Sequence, residues 1–458
     1  MTDGQLKIGV LSRRAPIGQD PDLGPTVEHV GGLTRVLPAL AEFAQINWTA
    51  LATQSQIGLP NKHSLAKISG QDYQYHIDIF LSEVDAFDLK QSDWFGTHYI
   101  WPLLHDLPIP GMEPAILSAN FAYIKSVCDS IATNCIESGN QGYLVNDFQL
   151  SQVPLLLKNL EPEKPITFFL HTPWPKVIST SELATKILNF LASGMLAADV
   201  IQFQTQKDLQ AFENFVNEHM AVPCISTKLE VNPVSINVQV FQEGTQGSAN
   251  QSILSESDIS YVHIARIDPI KNTLATVKAF AEFIKAIKDS ARHRYLDLYL
   301  VPSRQQWPGY RELLGEIVKC VELCNSELSF LGYAPIRLHL GNDYNRSIQA
   351  LARYDYLLVC SVADGLNLVA KEGATLNSRN GTIVSTPKVG AMAELGKFCV
   401  IAADAKEEGI AQALLEAQNL GCDARKNMSA ELKRLIQECD ASNWAQAVVA
   451  NFKILEKV

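Results

Sequence analysis

Residues 260–287 read Ser260-Tyr261-Val262-His263-Ile264, then Ala265-Arg266-Ile267-Asp268-Pro269-Ile270-Lys271-Asn272-Thr273, then a run in which Leu274, Val277, Phe280, Ala281, Ile284 and Ile287 recur at helical spacing. A β-rich run, a turn with a proline and an amphipathic helix make one βα unit, with the helix predicted to be capped at Asn272 or Thr273. Two cations five residues apart stand in the turn, Arg266 and Lys271. In an open α/β sheet ligands bind beyond the carboxyl ends of the strands, which is where this turn falls.

The same alternation runs outward in both directions. Towards the amino end, Leu6–Ser12, Trp48–Ala52, His76–Leu81, Gly142–Val145, Ile166–His171 and Val200–Gln204 read as strands. Between them Leu33, Val36, Leu37, Leu40 and Phe43 recur at helical spacing, as do Phe121, Ile124, Cys128, Ile131 and Cys135. Towards the carboxyl end, Leu296–Val301, Ile336–Leu340, Tyr356–Cys360, Thr382–Ser385 and Cys399–Ala402 continue the strand pattern. Repeated βα units predict an α/β chain of two Rossmann-like doubly wound domains facing across a cleft. The stretch 242–258, rich in Gln, Gly, Ser and Asn, is the expected linker between domains at 1–241 and 259–458, with the last helix free to pack back on the first domain.

Bulk properties bound the partners. At 458 residues the chain exceeds what one core normally serves, and 47% hydrophobic content describes a globular, enzyme-like protein. The formal charge of -11 repels nucleic acid and anionic lipid unless a basic patch is set apart, and the Lys and Arg residues are scattered. The expected anion is therefore small and held in a cleft, with no nucleic-acid or membrane partner. The start lacks the basic region and apolar stretch of a signal peptide and no run approaches a membrane span, so the expected location is cytoplasmic. Nine cysteines without metal spacing point to buried thiols, Cys320 and Cys324 among them, one turn apart on an apolar helix face. Whether the chain forms a homo-oligomer is left open.

Four further segments carry candidate chemistry. Ser12-Arg13-Arg14 ends the first strand and is followed by Gly31-Gly32-Leu33 opening a helix, where amides approach a phosphate closely and the helix dipole favours it; a simple turn is the plainer reading. Ser361 to Glu372 includes Asp364-Gly365-Leu366-Asn367-Leu368-Val369. Gly365 permits a tight strand-to-helix turn, the amides of Leu366 to Val369 can face an anion, Asp364 can meet sugar hydroxyls and Glu372, one turn beyond Leu368, can accept from ribose; a capping Asp with a surface Glu is the alternative. His171 and Asp147 each end a very apolar strand as a single polar residue, and a lone structural histidine is the alternative for the first. No convincing Asp-x-Asp metal motif follows a strand, since Asp20-Pro21-Asp22 falls in a proline-containing loop. Arg266 and Lys271 are thus expected to do what a divalent ion does elsewhere, with no metal and no cofactor.

Taken in order, these segments resemble the trehalose-6-phosphate synthase family of retaining glycosyltransferases, from about Ile8 to Ala402. Ser12-Arg13-Arg14 is similar to the family's Ser-Asn-Arg, Gly31-Gly32-Leu33 to its Gly-Gly-Leu, and Trp101-Pro102-Leu103-Leu104-His105 to its Leu-Trp-Pro-x-x-His. Asp147 sits in the His-Asp-Tyr-His position, and Phe168 to Pro175 resembles Phe-Phe-Leu-His-x-Pro-Phe-Pro. Arg266 to Lys271 resembles Arg-x-Asp-x-x-Lys, Val301 to Arg304 belongs to the set, and Asp364 to Glu372 is nearly identical to Asp-Gly-Met-Asn-Leu-Val-x-x-Glu.

The resemblance implies GT-B architecture, a nucleotide diphosphate glucose-type donor on the second domain and a small phosphorylated acceptor on the first. It implies that Arg266 and Lys271 hold the diphosphate with the Gly32 amide, that Glu372 holds the ribose, and that Asp364 with His171 grips the transferred sugar. Arg14, Trp101 and Arg304 would bind the acceptor phosphate and Asp147 its hydroxyls. Asp147, His171, Arg266, Lys271 and Asp364 are the implied catalytic set, with retention assigned to same-face attack in which the departing phosphate helps deprotonate the acceptor. The chain departs from the family at Ser92 for a Tyr, at Leu51 for the second Trp of Trp-x-Gly-Trp, at Asn146, Phe148 and Gln149 for a His, a Tyr and a His, and at Asn272 for a Gly. Glycerol 3-phosphate, as in glucosylglycerol-phosphate synthases, and a cyclitol phosphate, as in pseudoglycosyltransferases, therefore rival glucose 6-phosphate as acceptor. A non-catalytic sensor of nucleotide sugar or sugar phosphate is the reading from another class.

Overall fold

The runs expected as strands do pair, and mostly in parallel. The computed structural model describes residues 6–20, 24–27, 32–52, 56, 62–65, 76–176, 181–220, 226–239, 258–287 and 292–455. In the first half the strands are β1 (Lys7–Ser12), β2 (Ile17–Asp20), β3 (Gly24–Val27), β4 (Gln45–Leu51), β5 (Lys62–Ser64), β6 (Ile77–Ser82), β7 (Gly142–Asn146), β8 (Ile166–Leu170), β9 (Val200–Phe203) and β10 (Lys228–Val231). In the second they are β11 (Ile259–Arg266), β12 (Arg294–Val301), β13 (Ile336–Leu340), β14 (Tyr356–Val359), β15 (Thr382–Ser385) and β16 (Val400–Ile401). The chain divides into two units, Met1–Val234 with Ala441–Val458, and Ser235–Asp440.

The first unit holds an eight-stranded sheet in the order β10-β9-β8-β7-β1-β4-β6-β5. All its ladders are parallel except that of β5 on β6. Strands β7, β8 and β9 are buried at every position, which is why they read as unbroken apolar runs and not as alternation. Helices such as Pro114–Ile136 and Glu182–Met195 close the core with Ile124, Cys128, Ile131, Leu188 and Leu191 against Val145, Phe168 and Leu170. Each such side chain contributes about 1.5–3 kcal/mol when fully buried. The chain runs β1, β4, β6 on one side and returns to β7 on the other, so the strand order reverses between β1 and β7.

The carboxyl-terminal helix Ala441–Leu455 belongs to this first unit. Asn451 Nδ2 donates to Glu230 Oε2 at 2.9 Å, Ser442 Oγ to Glu42 Oε2 at 2.5 Å, and the Trp444 ring meets Phe169 edge-on at 6.0 Å. Gly142 makes room for it: a Cβ there would stand 2.6 Å from the Phe452 ring.

The second unit is a six-stranded sheet in the order β13-β12-β11-β14-β15-β16, parallel throughout. Its order reverses between β11 and β14. Tyr261, Leu298 and Leu358 from the strands meet Val277, Phe280 and Phe283 of the helix Thr273–Ala286 and Leu414 of Glu407–Gln418. Cys320 and Cys324 lie buried in the same core.

Some elements differ from expectation. The helix read across Leu33 to Phe43 is an α-turn, Leu33–Val36, followed by a 3-10 helix, Leu37–Glu42. Pro38 has no amide hydrogen for the continuing ladder, which explains the break. The antiparallel pair β2–β3 and the edge strands β5 and β10 carry no sustained apolar pattern and are not among the expected strands. Asp20 ends β2 instead of lying in a loop, while Pro21 and Asp22 lie outside the described residues. So does all of the expected linker except Asp258. Among the described residues no helix is long and apolar enough to cross a membrane.

Candidate functional site

In the second unit both motifs follow strands that flank the reversal point, at the sheet's carboxyl edge. After β11 the chain enters a 3-10 turn, Pro269–Lys271, with Asp268 capping it from Oδ1 to the Ile270 amide at 3.2 Å. Asn272 then takes φ 59°, ψ 32°, the left-handed region that only Gly and Asn or Asp visit readily, and starts the helix Thr273–Ala286. Its Nδ2 donates to the Ala405 carbonyl at 2.7 Å. The departure from Gly at this position therefore keeps the required backbone.

After β14 the loop brings Asp364 back to Lys271. Asp364 Oδ2 accepts from Lys271 Nζ, from Ser361 Oγ at 3.0 Å and from Asn367 Nδ2 at 3.0 Å. Both ends of the ion pair are mostly buried, with 14% and 12% of the side chains exposed. The Val362 amide bonds the Ile270 carbonyl at 2.8 Å, tying one loop to the other. Asn367, at φ 72°, supplies the left-handed turn into the helix Leu368–Leu376, whose first amides lie at its free end; Glu372 is half-buried one turn on. Its neighbour Lys371 is buried and paired with Glu394 at 2.7 Å.

Arg266 ends β11 half-buried. Burial, and then the guanidinium of Arg304, hold its pKa below the ordinary arginine value, while Asp268 and Asp364 act the other way. Arg304, expected to meet the acceptor phosphate, is engaged within its own unit. Its Nη1 donates to Asp268 Oδ2 at 2.6 Å and to the Tyr310 hydroxyl at 3.0 Å, and its backbone sits at φ 53°. Asp147, Asn272, Arg304 and Asn367 all take positive φ at loops following strands, strain of a kind that gathers at functional sites.

In the first unit the residues after β1 and β7 flank the other reversal point. Ser12 Oγ donates to the Arg14 carbonyl at 2.7 Å and accepts from Trp48 Nε1 at 2.7 Å, shaping the turn that leaves the Arg14 side chain exposed. Asp147, at φ 72°, follows β7. Trp101, half-buried, packs on His105 at 4.3 Å and on Phe148 at 6.2 Å. Gly32 has ordinary helical torsions and opens only a four-residue helix; Gly31 lies outside the described residues. Leu51, where the family has a tryptophan, is fully buried, so it lines no surface.

His171 follows β8. Its Nε2 faces Asn146 Oδ1 at 3.0 Å, its Nδ1 faces Gln204 Nε2 at 3.2 Å, and its ring stacks on Phe169 at 4.3 Å. Burial pushes its pKa down to about 3.

Three partners escaped the sequence reading. Arg13 forms a two-pronged bridge to Asp93, with Nε to Oδ1 at 3.2 Å and Nη2 to Oδ2 at 2.8 Å, which nothing in the local pattern signals across eighty residues. Asn146 ends β7 and Gln204 follows β9, as His171 follows β8, so their place at the strand ends was legible although their contacts with His171 were not. Among the described residues no group of three or more His, Cys, Asp or Glu side chains is placed to hold a metal ion.

Comparison with known proteins places this geometry. The sequence profile of Glycosyltransferase family 20 matches residues 24–454. The chain is 26% identical to a validamine 7-phosphate valienyltransferase of Streptomyces hygroscopicus subsp. jinggangensis, covering 96% of this chain and 93% of the relative. It is 24% identical to a trehalose-6-phosphate synthase of Mycobacterium avium, covering 97% and 94%. Among solved structures it is similar to a trehalose-6-phosphate protein from E. coli bound with UDP-2-fluoro glucose, at TM-score 0.81 and 18% identity over 98% of this chain and 99% of the other. It is also similar to an alpha,alpha-trehalose-phosphate synthase of Burkholderia xenovorans in complex with glucose-6-phosphate, at TM-score 0.79 and 18% identity over 98% and 100%. These likenesses establish the two-domain GT-B fold.

Proposed function

Because the chain belongs to glycosyltransferase family 20, we propose that it moves a glucosyl unit, with retention, from a nucleotide diphosphate sugar to a small phosphorylated acceptor. The observation that carries this reading is the Lys271–Asp364 pair beside Arg266 at the reversal point of the second sheet. Lys271 can exchange its carboxylate partner for diphosphate while Asp364 keeps Ser361 and Asn367 as donors. The carboxylate then turns to sugar hydroxyls.

The second unit holds the donor: Arg266 and Lys271 take the diphosphate, the amides of Leu366 to Val369 with Gly365 support it, and Glu372 binds the ribose. In transfer, the bond from the anomeric carbon to the diphosphate oxygen breaks and a bond from that carbon to the acceptor oxygen forms on the same face. The acceptor's proton passes to the departing phosphate. Arg266 and Lys271 neutralise the charge that grows on that leaving group, which is the step where preorganised cations lower the barrier most. We infer that no divalent metal and no further cofactor take part.

The first unit holds the acceptor through Arg14, Trp101 and Asp147. Its departure at Ser92, and the similarity to a valienyltransferase acting on validamine 7-phosphate, favour a cyclitol phosphate as the second reading. Nucleotide sugars and sugar phosphates are metabolites of the cytoplasm, and we place the reaction there.

The deciding experiment incubates the purified protein with UDP- and other nucleoside diphosphate sugars against glucose 6-phosphate, glycerol 3-phosphate and cyclitol phosphates, and follows nucleoside diphosphate release and product mass. Release that depends on a phosphorylated acceptor and persists in EDTA is expected. Binding of donor without release over the whole panel would make the protein a sensor, and loss of turnover in EDTA would overturn the metal-free step.

A further inference from the structure

The two amides that flank His171 are each oriented by the backbone. Asn146 Nδ2 donates to the Leu11 carbonyl at 3.0 Å, so its Oδ1 must be the end that faces His171 Nε2. Gln204 Oε1 accepts from the Val234 amide at 2.9 Å, so its Nε2 must be the end that faces His171 Nδ1. Flipping either amide would set like against like. Asn146 is 1% and Gln204 4% exposed, so both amides are buried beside a partly buried His171.

Both amides therefore dictate the same tautomer. Asn146 requires a proton on Nε2, and Gln204 requires a lone pair on Nδ1. Protonating Nδ1 would press its N–H against the Gln204 amide hydrogens, so the imidazolium loses a hydrogen bond in addition to its solvation.

We propose that Asn146 and Gln204 are positioning residues for His171, holding the imidazole in one ring orientation with its proton on Nε2, so that it serves transfer as a fixed neutral surface and not as a general base. The carboxylates on the surrounding elements do not counter this. Asp208, at the head of the helix after β9, is taken by Thr205 and the Trp174 amide; Glu230 on β10 is taken by Lys228, Gln202 and Asn451; Asp147 follows Asn146. Burial alone accounts for the depressed pKa of His171, which none of these groups moves. A retaining transfer in which the departing phosphate takes the proton has no use for a protein base, and a histidine whose one lone pair, on Nδ1, is engaged by Gln204 adds no competing one.

The clamp is tested on the ligand-free protein, and its kinetic consequence rests on the proposed transfer. Histidine labelled with ¹⁵N, with the His171 signals assigned by loss in H171Q, should show a neutral ring protonated on Nε2 and no titration where an ordinary imidazole titrates, near 6.5. In N146D a carboxylate faces Nε2, and in Q204E a carboxylate faces Nδ1. Both should bring the His171 midpoint up into the measured range. With donor and acceptor present, kcat of N146D should then fall about tenfold per pH unit below the new midpoint, where the wild type stays level. Ordinary titration of His171 in the wild type, or the Nδ1–H tautomer, would overturn the clamp even if both variants failed to fold. A clamped, non-titrating ring in a protein that releases nucleoside diphosphate with no acceptor would uphold the clamp and refute transfer instead. An unchanged pH profile in a folded, active N146D would remove the positioning role.

Discussion

Lys271 donates to Asp364 across the point where the second sheet reverses its strand order, joining residues 93 positions apart. The pair is shielded, and Asp364 keeps Ser361 and Asn367 as further donors, so removing the lysine leaves the carboxylate hydrogen-bonded. Lys271→Ala should therefore fold normally and lose transition-state stabilisation. Removing one preorganised group at a developing charge costs about 2.7–4 kcal/mol, a hundredfold or more in kcat. Steady-state release of nucleoside diphosphate at saturating substrates measures this, and unaltered turnover would remove Lys271 from the leaving-group site.

Arg304 and Asp268 make a different kind of pair. The Asp268 side chain has no exposed surface, and Arg304 holds it from a left-handed backbone conformation with 18% of its own side chain exposed. Arg304→Ala removes the bonded cation from a buried carboxylate, for which about 3–5 kcal/mol of destabilisation is expected. Chemical denaturation should show this loss, and much of it should disappear in the double variant Asp268→Asn, Arg304→Ala. Equal losses in the single and double variants would mean that Asp268 does not depend on Arg304. The stability effect precedes any effect on an acceptor phosphate.

The parts of this molecule that sequence reveals are those set by local periodicity. Short unbroken apolar runs such as Phe168-Phe169-Leu170, alternating with helical patterns, fit strands buried on both faces, and the turns that follow them fall at the carboxyl rim by topology. Strand β10, Lys228–Val231, is half-exposed and polar, and its place at the sheet edge comes from pairing with β9, not from its composition. The site divides the same way. Arg266, Lys271 and Asp364 stand out by position, whereas the bond between Arg13 and Asp93 and the amide contacts of His171 join segments far apart in the chain, and no local pattern encodes them.

Gly390 packs against the loop that carries Asp364 and Gly365. A Cβ at this position would lie 1.8 Å from the Gly365 carbonyl oxygen and 2.6 Å from its carbon, both backbone atoms. The same segment bonds the loop twice, from the Gly390 amide to the Asp364 carbonyl at 3.0 Å and from the Ala391 amide to the Leu366 carbonyl at 2.8 Å. Gly390→Ala must displace the turn that carries Asp364 and the helix amides. Overpacking of this kind costs about 1–3 kcal/mol, and a raised donor KM should accompany it. Wild-type nucleotide affinity by calorimetry in the folded variant would show that this turn does not shape the donor site.

His263 ties the stability of the second unit to pH. It is 3% exposed on β11, with Nδ1 facing the Leu358 carbonyl at 3.0 Å and Nε2 facing Thr273 Oγ1 at 3.2 Å. Burial is the main cause that brings its pKa down from 6.5 to about 4, with the charge of Lys271 acting in the same direction. Between these values the unfolded chain binds a proton that the folded chain refuses. Stability from this group is thus full above 6.5 and drains away as pH falls towards 4, with a slope of up to about 1.4 kcal/mol per pH unit. Asp208 acts with the opposite sign, because burial raises it from 3.8 to about 6 and its contribution is lost as pH rises through that interval. Its effect is common to wild type and variant, so it cancels in their difference. His263→Gln should be less stable at neutral pH, having lost matched hydrogen bonds, yet its unfolding free energy should fall less steeply on acidification. Denaturant titrations of both proteins at a series of pH values from 7 downwards give that difference directly. Parallel curves would mean that His263 carries the same proton in both states and is not held neutral by the core.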